Sequence, residues 1–258
     1  MKWLPILTLL CFQFLSAQTL EKVSSTPLQA DHLMGVDHFG NTYFTKDAVL
    51  HKKGPDGNYQ YTNFQLGEIT SVDIINPLKI IVFYKDVNTV VLLDNRLSEI
   101  ELVNFNTIPD FLNVAAATNA GNNRLWIFNM DTQQLELFNY RTNTNTALSQ
   151  PFAGTLLHQV SDFNYCYTLT NKKLRLFNPY GSMLSEIPSE DFEKLLFSND
   201  KLIGLKKNTL HLRSKDVFYL LNIPSPENPI KDLVLRGDLV YIYDGNTVHK
   251  FSLTIPKK

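Results

Sequence analysis

The chain has 258 residues, 44% of them hydrophobic and 19% charged, with a formal net charge of −1. That composition is of the folded globular type and excludes a disordered chain. Lys and Arg (24) balance Asp and Glu (25) with no charged block, so neither nucleic-acid binding nor a polybasic membrane contact is expected.

The first residues, MKWLPILTLLCFQFLSAQTL, have the layout of a secretory leader. Lys2 supplies the positive start. The apolar stretch from Leu4 to Leu15 is too short for a membrane anchor, and Leu15-Ser16-Ala17 offers a cleavage site. Cys11 follows Leu10, where a lipoprotein signal requires a small residue, so lipid attachment is not expected. Residues 1–17 read as a signal peptide and 18–258 as a single domain. The expected address is the periplasm of a diderm bacterium, with the extracellular space as the alternative. No later stretch is long and apolar enough to cross a membrane as a helix. Cys166 is the one cysteine left after cleavage, which rules out an intramolecular disulfide in the mature monomer. It lies in the apolar run Tyr165-Cys166-Tyr167-Thr168-Leu169 and reads as a buried structural thiol.

Behind the leader, TLEKVSS (19–25) is a strand candidate without a local partner. Six hairpins follow in chain order: NTYFTKDAVLHK from Asn41, KIIVFYKDVNTVVLLD from Lys79, RLWIFNMDTQQLELFNY from Arg124, YCYTLTNKKLRLFN from Tyr165, KLIGLKKNTLHLRS from Lys201 and LVYIYDGNTVHKFSL from Leu239. Each joins two short apolar runs through a polar turn. Their central residues, Tyr43, Ile81, Trp126, Tyr167, Ile203 and Tyr241, are spaced 38, 45, 41, 36 and 38 apart. A hairpin repeat near forty residues indicates a propeller rather than a helical solenoid.

Each hairpin has a short apolar strand upstream: HLMGVD (32–37), ITSVDII (69–75), LNVAAAT (112–118), LHQVSDF (157–163), FEKLLFS (192–198) and IKDLVLR (230–236). Downstream lies a more polar strand, such as NYQYTNF (58–64), LSEIELV (97–103) or MLSEIP (183–188). In LSEIELV, Ile100 and Leu102 share one face and Glu99 and Glu101 the other, so the apolar face is expected to pack inward. Each unit therefore reads as four antiparallel strands. Inner strands are covered on both faces by neighbouring units and can be apolar throughout. The last unit lacks an outer strand, and residues 19–25 paired with 247–254 would supply it and close the ring. The expected fold is all-β, a six-bladed β-propeller. The repeat pattern resembles the six-bladed propellers that include the NHL-repeat and TolB-like groups, over the whole mature chain.

The chain shows no HExxH, GxSxG, Walker or GxGxxG pattern. His32, His38, His51, His158, His211 and His249 show no ligand spacing, and His211 and His249 fall in equivalent third strands. Some six-bladed propellers are calcium-dependent lactonases or esterases with carboxylates converging on the axis. That resemblance implies an alternative metal set, Asp37, Asp73, Asp162, Glu193 and Asp232, with calcium as cofactor. A third reading is a carbohydrate or small-ligand binder using channel-facing Trp and Tyr; against it, Trp126 is the one tryptophan left once the leader is removed, and it sits in a strand apolar on both faces.

The blade-to-blade loops carry more signal. FNTIPDFL (105–112), SQPFAGTLL (149–157) and IPSPENPI (223–230) combine aromatics with prolines, and stiff loops bearing aromatics suit protein recognition. Phe105, Pro109, Phe111, Pro151 and Phe152 are the candidate partner-binding residues, with wedging between blades as the competing role for the phenylalanines. The expected function is a non-catalytic, protein-binding scaffold without cofactor. In architecture and address the chain is similar in plan to propeller-like accessory subunits of outer-membrane assembly and export machines, including a periplasmic plug of a type IX translocon. That similarity implies a protein partner in an outer-membrane or periplasmic complex.

Overall fold

A computed structural model describes residues 19–215, 217–223 and 229–254. The expected leader (1–17) and part of the 223–230 loop lie outside these residues. The described chain contains strands and turns only. Strand β1 (Thr19–Pro27) comes first. Blade 1 follows as β2 (His32–Val36), β3 (Thr42–Lys46), β4 (Val49–Gly54) and β5 (Gly57–Tyr61). Blade 2 is β6 (Ser71–Asp73), β7 (Ile80–Tyr84), β8 (Thr89–Leu93) and β9 (Glu99–Asn104). Blade 3 is β10 (Val114–Gly121), β11 (Arg124–Asn129), β12 (Gln134–Asn139) and β13 (Thr144–Leu148). Blade 4 is β14 (Leu156–Ser161), β15 (Cys166–Thr170), β16 (Lys173–Phe177) and β17 (Met183–Pro188). Blade 5 is β18 (Lys194–Ser198), β19 (Lys201–Lys206), β20 (Thr209–Ser214) and β21 (Val217–Leu221). Blade 6 takes β22 (Asp232–Arg236), β23 (Leu239–Tyr243) and β24 (Thr247–Thr254).

Each of the first five blades is an up-and-down sheet in sequence order, and the sixth runs β22-β23-β24-β1. The fold is thus the six-bladed propeller that the repeat period implies. Strand β1 pairs with β24 from Thr19↔Thr254 to Pro27↔Thr247, with a bulge at Val23 where the register shifts between Lys22 and Ser24. Most β1 side chains face solvent, but Leu20 inserts into the apolar cluster between blades 5 and 6. Behind it, the Tyr243 hydroxyl accepts from the Ala30 amide and lies 2.8 Å from the carbonyls of Ala30 and Gly245. This pins the segment that crosses from the last blade to the first.

Six apolar clusters, among the described residues, lie one in each of the six seams of the ring. Between blades 2 and 3, for example, Ile81, Phe83 and Leu92 pack against Val114, Leu125 and Phe138. The second strands are buried along nearly their whole length because both their faces meet a neighbouring blade. Cys166 is buried with a free thiol, and burial pushes its pKa well up. Trp126 is buried between blades 3 and 4, its indole N–H donating to the Asp162 carbonyl at 3.3 Å.

One patterning expectation is overturned. Ile100 and Leu102 of β9 are 44% and 42% exposed, whereas Glu101 is half-buried and pairs with Arg141 at 3.3 Å. The cause is a bulge at Ile100, where the ladder to β8 shifts register: Glu99 falls opposite Leu93 and accepts from the Tyr61 hydroxyl of blade 1 at 3.2 Å, whereas Glu101 falls opposite Leu92 and turns toward Arg141 of blade 3.

Closure by β1 is tested by truncation. Removing residues 19–27 strips β24 of its partner along its length and uncovers an edge that can pair with another chain. Aggregation, or a large fall in melting temperature, is the expected outcome in calorimetry. Leu20→Ala in the intact chain should cost about 2–4 kcal/mol, the usual range for a buried leucine. An unchanged, cooperative melt of the truncated chain would refute closure.

Candidate functional site

The up-and-down order creates two mouths. One carries the turns from first to second strands and from third to fourth. The other carries the second-to-third turns and the loops that lead from one blade to the next. Between them runs a channel of about 690 Å³, lined by the inner strands of all six blades. Those strands are the inner edges of their sheets, so one row of their backbone polar groups faces the channel rather than a ladder partner.

The five carboxylates of the alternative metal set are not brought together. Asp37, Asp73 and Asp162 sit at or just past the ends of their inner strands, while Glu193 and Asp232 sit at the starts. The inner strands run in the same sense, so the two groups lie toward opposite ends of the channel. Each side chain also has local work. Asp37 accepts from the Phe39 and Asn41 amides at 2.9 Å, the Asn41 side chain at 2.8 Å and the Tyr43 hydroxyl at 3.0 Å. Asp162 accepts from the Asn164 and Tyr165 amides at 2.7 Å. Glu193 accepts from the Lys207 amide at 3.1 Å. Asp232 accepts from Leu33 N at 3.0 Å and lies 3.4 Å from His32 Nδ1. Among the described residues no three His, Cys, Asp or Glu side chains form a group able to hold a metal ion.

Two channel groups have displaced pKa values. Burial pushes Asp73 up to about 6, against the pull of amide donation from Ile75 and Asn119. Burial, and then the charge of Lys194, pull His158 down to about 3. Its Nδ1 lies 3.4 Å from the Leu195 amide nitrogen, which donates to it. This is an acceptor role that needs the neutral ring.

The aromatic loops divide. Phe105 is 0% exposed, so it is no surface anchor. It continues the inward alternation of Val103 and wedges between blades 2 and 3, edge-on to Phe138 at 5.5 Å. Phe152 is half-buried against Phe128 (5.4 Å) and Phe177 (5.6 Å), with the Arg175 guanidinium 4.5 Å above its ring. It too seals a seam. Phe111, by contrast, is 57% exposed, with Pro109 and Pro151 also exposed. The sequence reading passed over Phe64, which is 76% exposed in the preceding blade-to-blade loop. Its signal was an aromatic just past the Tyr59/Tyr61 alternation.

The Phe111 loop is held at both ends by Asn88. This residue is buried in a turn with φ of 51°, a conformation that asparagine tolerates better than most residues. Its side-chain amide donates to Leu112 O at 2.7 Å and Asn106 Oδ1 at 3.0 Å, and its Oδ1 accepts from Val114 N at 3.1 Å. Its carbonyl accepts from Phe105 N at 3.1 Å. Phe105, Ile108 and Leu112 pack into the seam, leaving Phe111 facing solvent on a fixed backbone.

Fold and site together define a six-bladed propeller with an open channel and rigid loops between its blades. No protein-family profile matches the sequence, and no curated protein matches it. Solved structures similar in fold include BamB from Moraxella catarrhalis, at 11% identity and TM-score 0.57, covering 93% of this chain and 99% of that one. A streptogramin B lyase matches at 11% identity and TM-score 0.61 over 92% and 98%. A chain of a mitotic checkpoint complex matches at 10% identity and TM-score 0.59 over 85% and 73%. At these identities the likeness is one of fold.

The depressed pKa of His158 gives a pH test. The folded protein binds fewer protons here than the unfolded chain between pH 3 and 6.5, so this contribution is full above pH 6.5 and declines on acidification. At pH 5.5 the loss is about 1.4 kcal/mol, one pKa unit's worth. Asp73 acts in the opposite sense, adding stability as pH falls from 6 toward 4. In urea titrations at pH 7.5 and 5.5, His158→Asn, which keeps an acceptor near Nδ1, should lose less stability on acidification than the parent chain. Equal losses would mean that His158 titrates normally.

Proposed function

We propose that this protein is a non-catalytic scaffold that binds another protein through the loops between its blades. The observation that carries this reading is the Phe111 loop. It is fixed by Asn88, anchored by buried Phe105 and Leu112, and tipped with an exposed aromatic beside Pro109. An aromatic on a preformed loop loses little conformational freedom on docking, which is the character of an interface hot spot. Phe64 and Pro151 extend the candidate surface onto the adjoining loops. The leader-like N-terminus and the propeller architecture support an accessory role in an outer-membrane or periplasmic complex of assembly or export. Among the structures similar in fold, one is a chain of a mitotic checkpoint complex, so a propeller of this kind can serve within a protein assembly.

The test uses the tagged full-length chain purified from its native host with its partners. Phe64→Ser combined with Phe111→Ser should leave the melting temperature within about 2 °C of the parent, because neither ring is in a seam. It should weaken partner recovery at least thirtyfold, the effect of about 2 kcal/mol at a hot spot. Phe105→Ala is the contrasting variant. It should cost about 3–5 kcal/mol of stability, the range for a buried phenylalanine. Full partner recovery by the folded double-serine variant would overturn the proposal.

A further inference from the structure

The seam that closes the ring differs from the other five. In register, the central residues Tyr43, Ile81, Trp126, Tyr167, Ile203 and Tyr241 pair with third-strand residues Lys52, Leu92, Leu137, Leu176, Leu212 and Lys250. These positions face the following blade. Four blades place leucine there. Lys52 is buried but provided for: its ammonium donates to Asn95 O at 2.8 Å, pairs with Asp56 at 3.4 Å, and sits over the Tyr43 and Tyr59 rings. Lys250 instead faces the seam between blades 6 and 1.

The opposite wall shows the same replacement. The residue before each central position pairs with Lys53 in blade 1, and with Leu93, Phe138, Phe177 and Phe251 in blades 2, 3, 4 and 6. Those four are buried apolar plugs; in blade 5 the register places Arg213 there, donating to the Tyr167 hydroxyl at 3.4 Å. Lysines thus replace apolar fillers on both sides of one seam, and the seam stands open as a cleft of about 620 Å³. Lys46, Lys53 and Lys250 line it, with Phe44 and Tyr241 among its walls and the hydroxyls of Ser24 and Thr26 contributed by β1. No carboxylate lines it. Among the described residues none of the three lysines has an ion pair. Lys53 Nζ lies 5.4 Å over the Phe44 ring, which stacks on His51 at 5.0 Å. His51 has its pKa lowered by burial first, then by Lys53 and Lys46, against the opposing charge of Asp47.

We propose that the cleft between the first and last blades binds a small polyanion bearing phosphate or carboxylate groups. Three lysines that line one partly enclosed space and form no ion pair among the described residues favour a multiply charged anion there. The hydroxyls of β1 add donors, so the ligand would contact both partners of the closing strand pair and both adjoining blades. A bound anion would therefore stabilise the closed ring by mass action. This site is separate from the Phe111 loop, and its test is independent of any protein partner.

The experiment is thermal unfolding of the full chain at fixed ionic strength with increasing pyrophosphate or, in a second arm, citrate. A saturable rise of about 3–5 °C at ten times the dissociation constant is expected, and sodium chloride should not reproduce it. Whichever arm acts at lower concentration assigns the charged group as phosphate or carboxylate. Lys250→Gln should weaken binding about tenfold, and Lys53→Arg should retain it. The paired change Lys53→Phe with Lys250→Leu, which restores the fillers of the other seams, should abolish the response without lowering the starting melting temperature. The absence of a saturable shift in both arms, or an undiminished shift in folded Lys250→Gln, would overturn the proposal.

Discussion

The hydrogen-bonded pairing of β1 with β24 is the constraint on which the rest of the molecule depends. Each blade has two apolar faces, and a face is satisfied only by a neighbour. An open row of blades would leave two apolar faces uncovered, whereas a ring leaves neither of those faces without a neighbour. The chain meets this requirement with its own N-terminal strand, so blade 6 is held by backbone bonds between segments more than 200 residues apart in sequence. Leu20 and the Tyr243 hydroxyl network secure the two ends of that splice. The other seams then need only side-chain packing.

A ring closed in this way relieves its loops of structural work beyond their own anchoring. The loop from Phe105 to Leu112 shows the division within a few residues. Alternate side chains sink into the seam, Asn88 satisfies the intervening backbone, and one aromatic is left outside. The carboxylates near the channel have been recruited in the opposite sense. They organise turns by accepting backbone amides, which accounts for their varied offsets from blade to blade.

The architecture was legible because a blade must repeat both its apolar core and its turns, and a period near forty survives even where identities do not. The closing strand was legible because the sixth unit was one strand short. Turns marked by glycine could be read, but Asp47-Ala48, Asn199-Asp200 and Lys207-Asn208 reverse the chain with two left-handed residues and no glycine, so their tightness was hidden. The loop aromatics could be found but not sorted. Phe105 and Phe111 are both phenylalanines beside polar residues, and which one is buried depends on where the β9 alternation stops. The parting of Glu99 and Glu101 onto opposite faces depends on the bulge at Ile100, which no local pattern records. Lys53 and Lys250 become conspicuous only when the blades are aligned by their observed register, because the contrast lies in what the other blades place there.

The distance in sequence between β1 and β24 also orders events in time. During synthesis β1 is made first and must wait, unpaired, until the last strand has emerged. Closing so long a loop carries a large entropic cost, and contacts of such separation form late in folding. An unpaired strand is exposed to wrong partners for that whole interval. The composition of β1 suits the wait: Glu21, Lys22, Ser24 and Ser25 give it little apolar surface, and the bulge at Val23 interrupts its ladder. A strand that is a poor partner in general, and a good one only for the edge of β24, is suited to a closure that comes late.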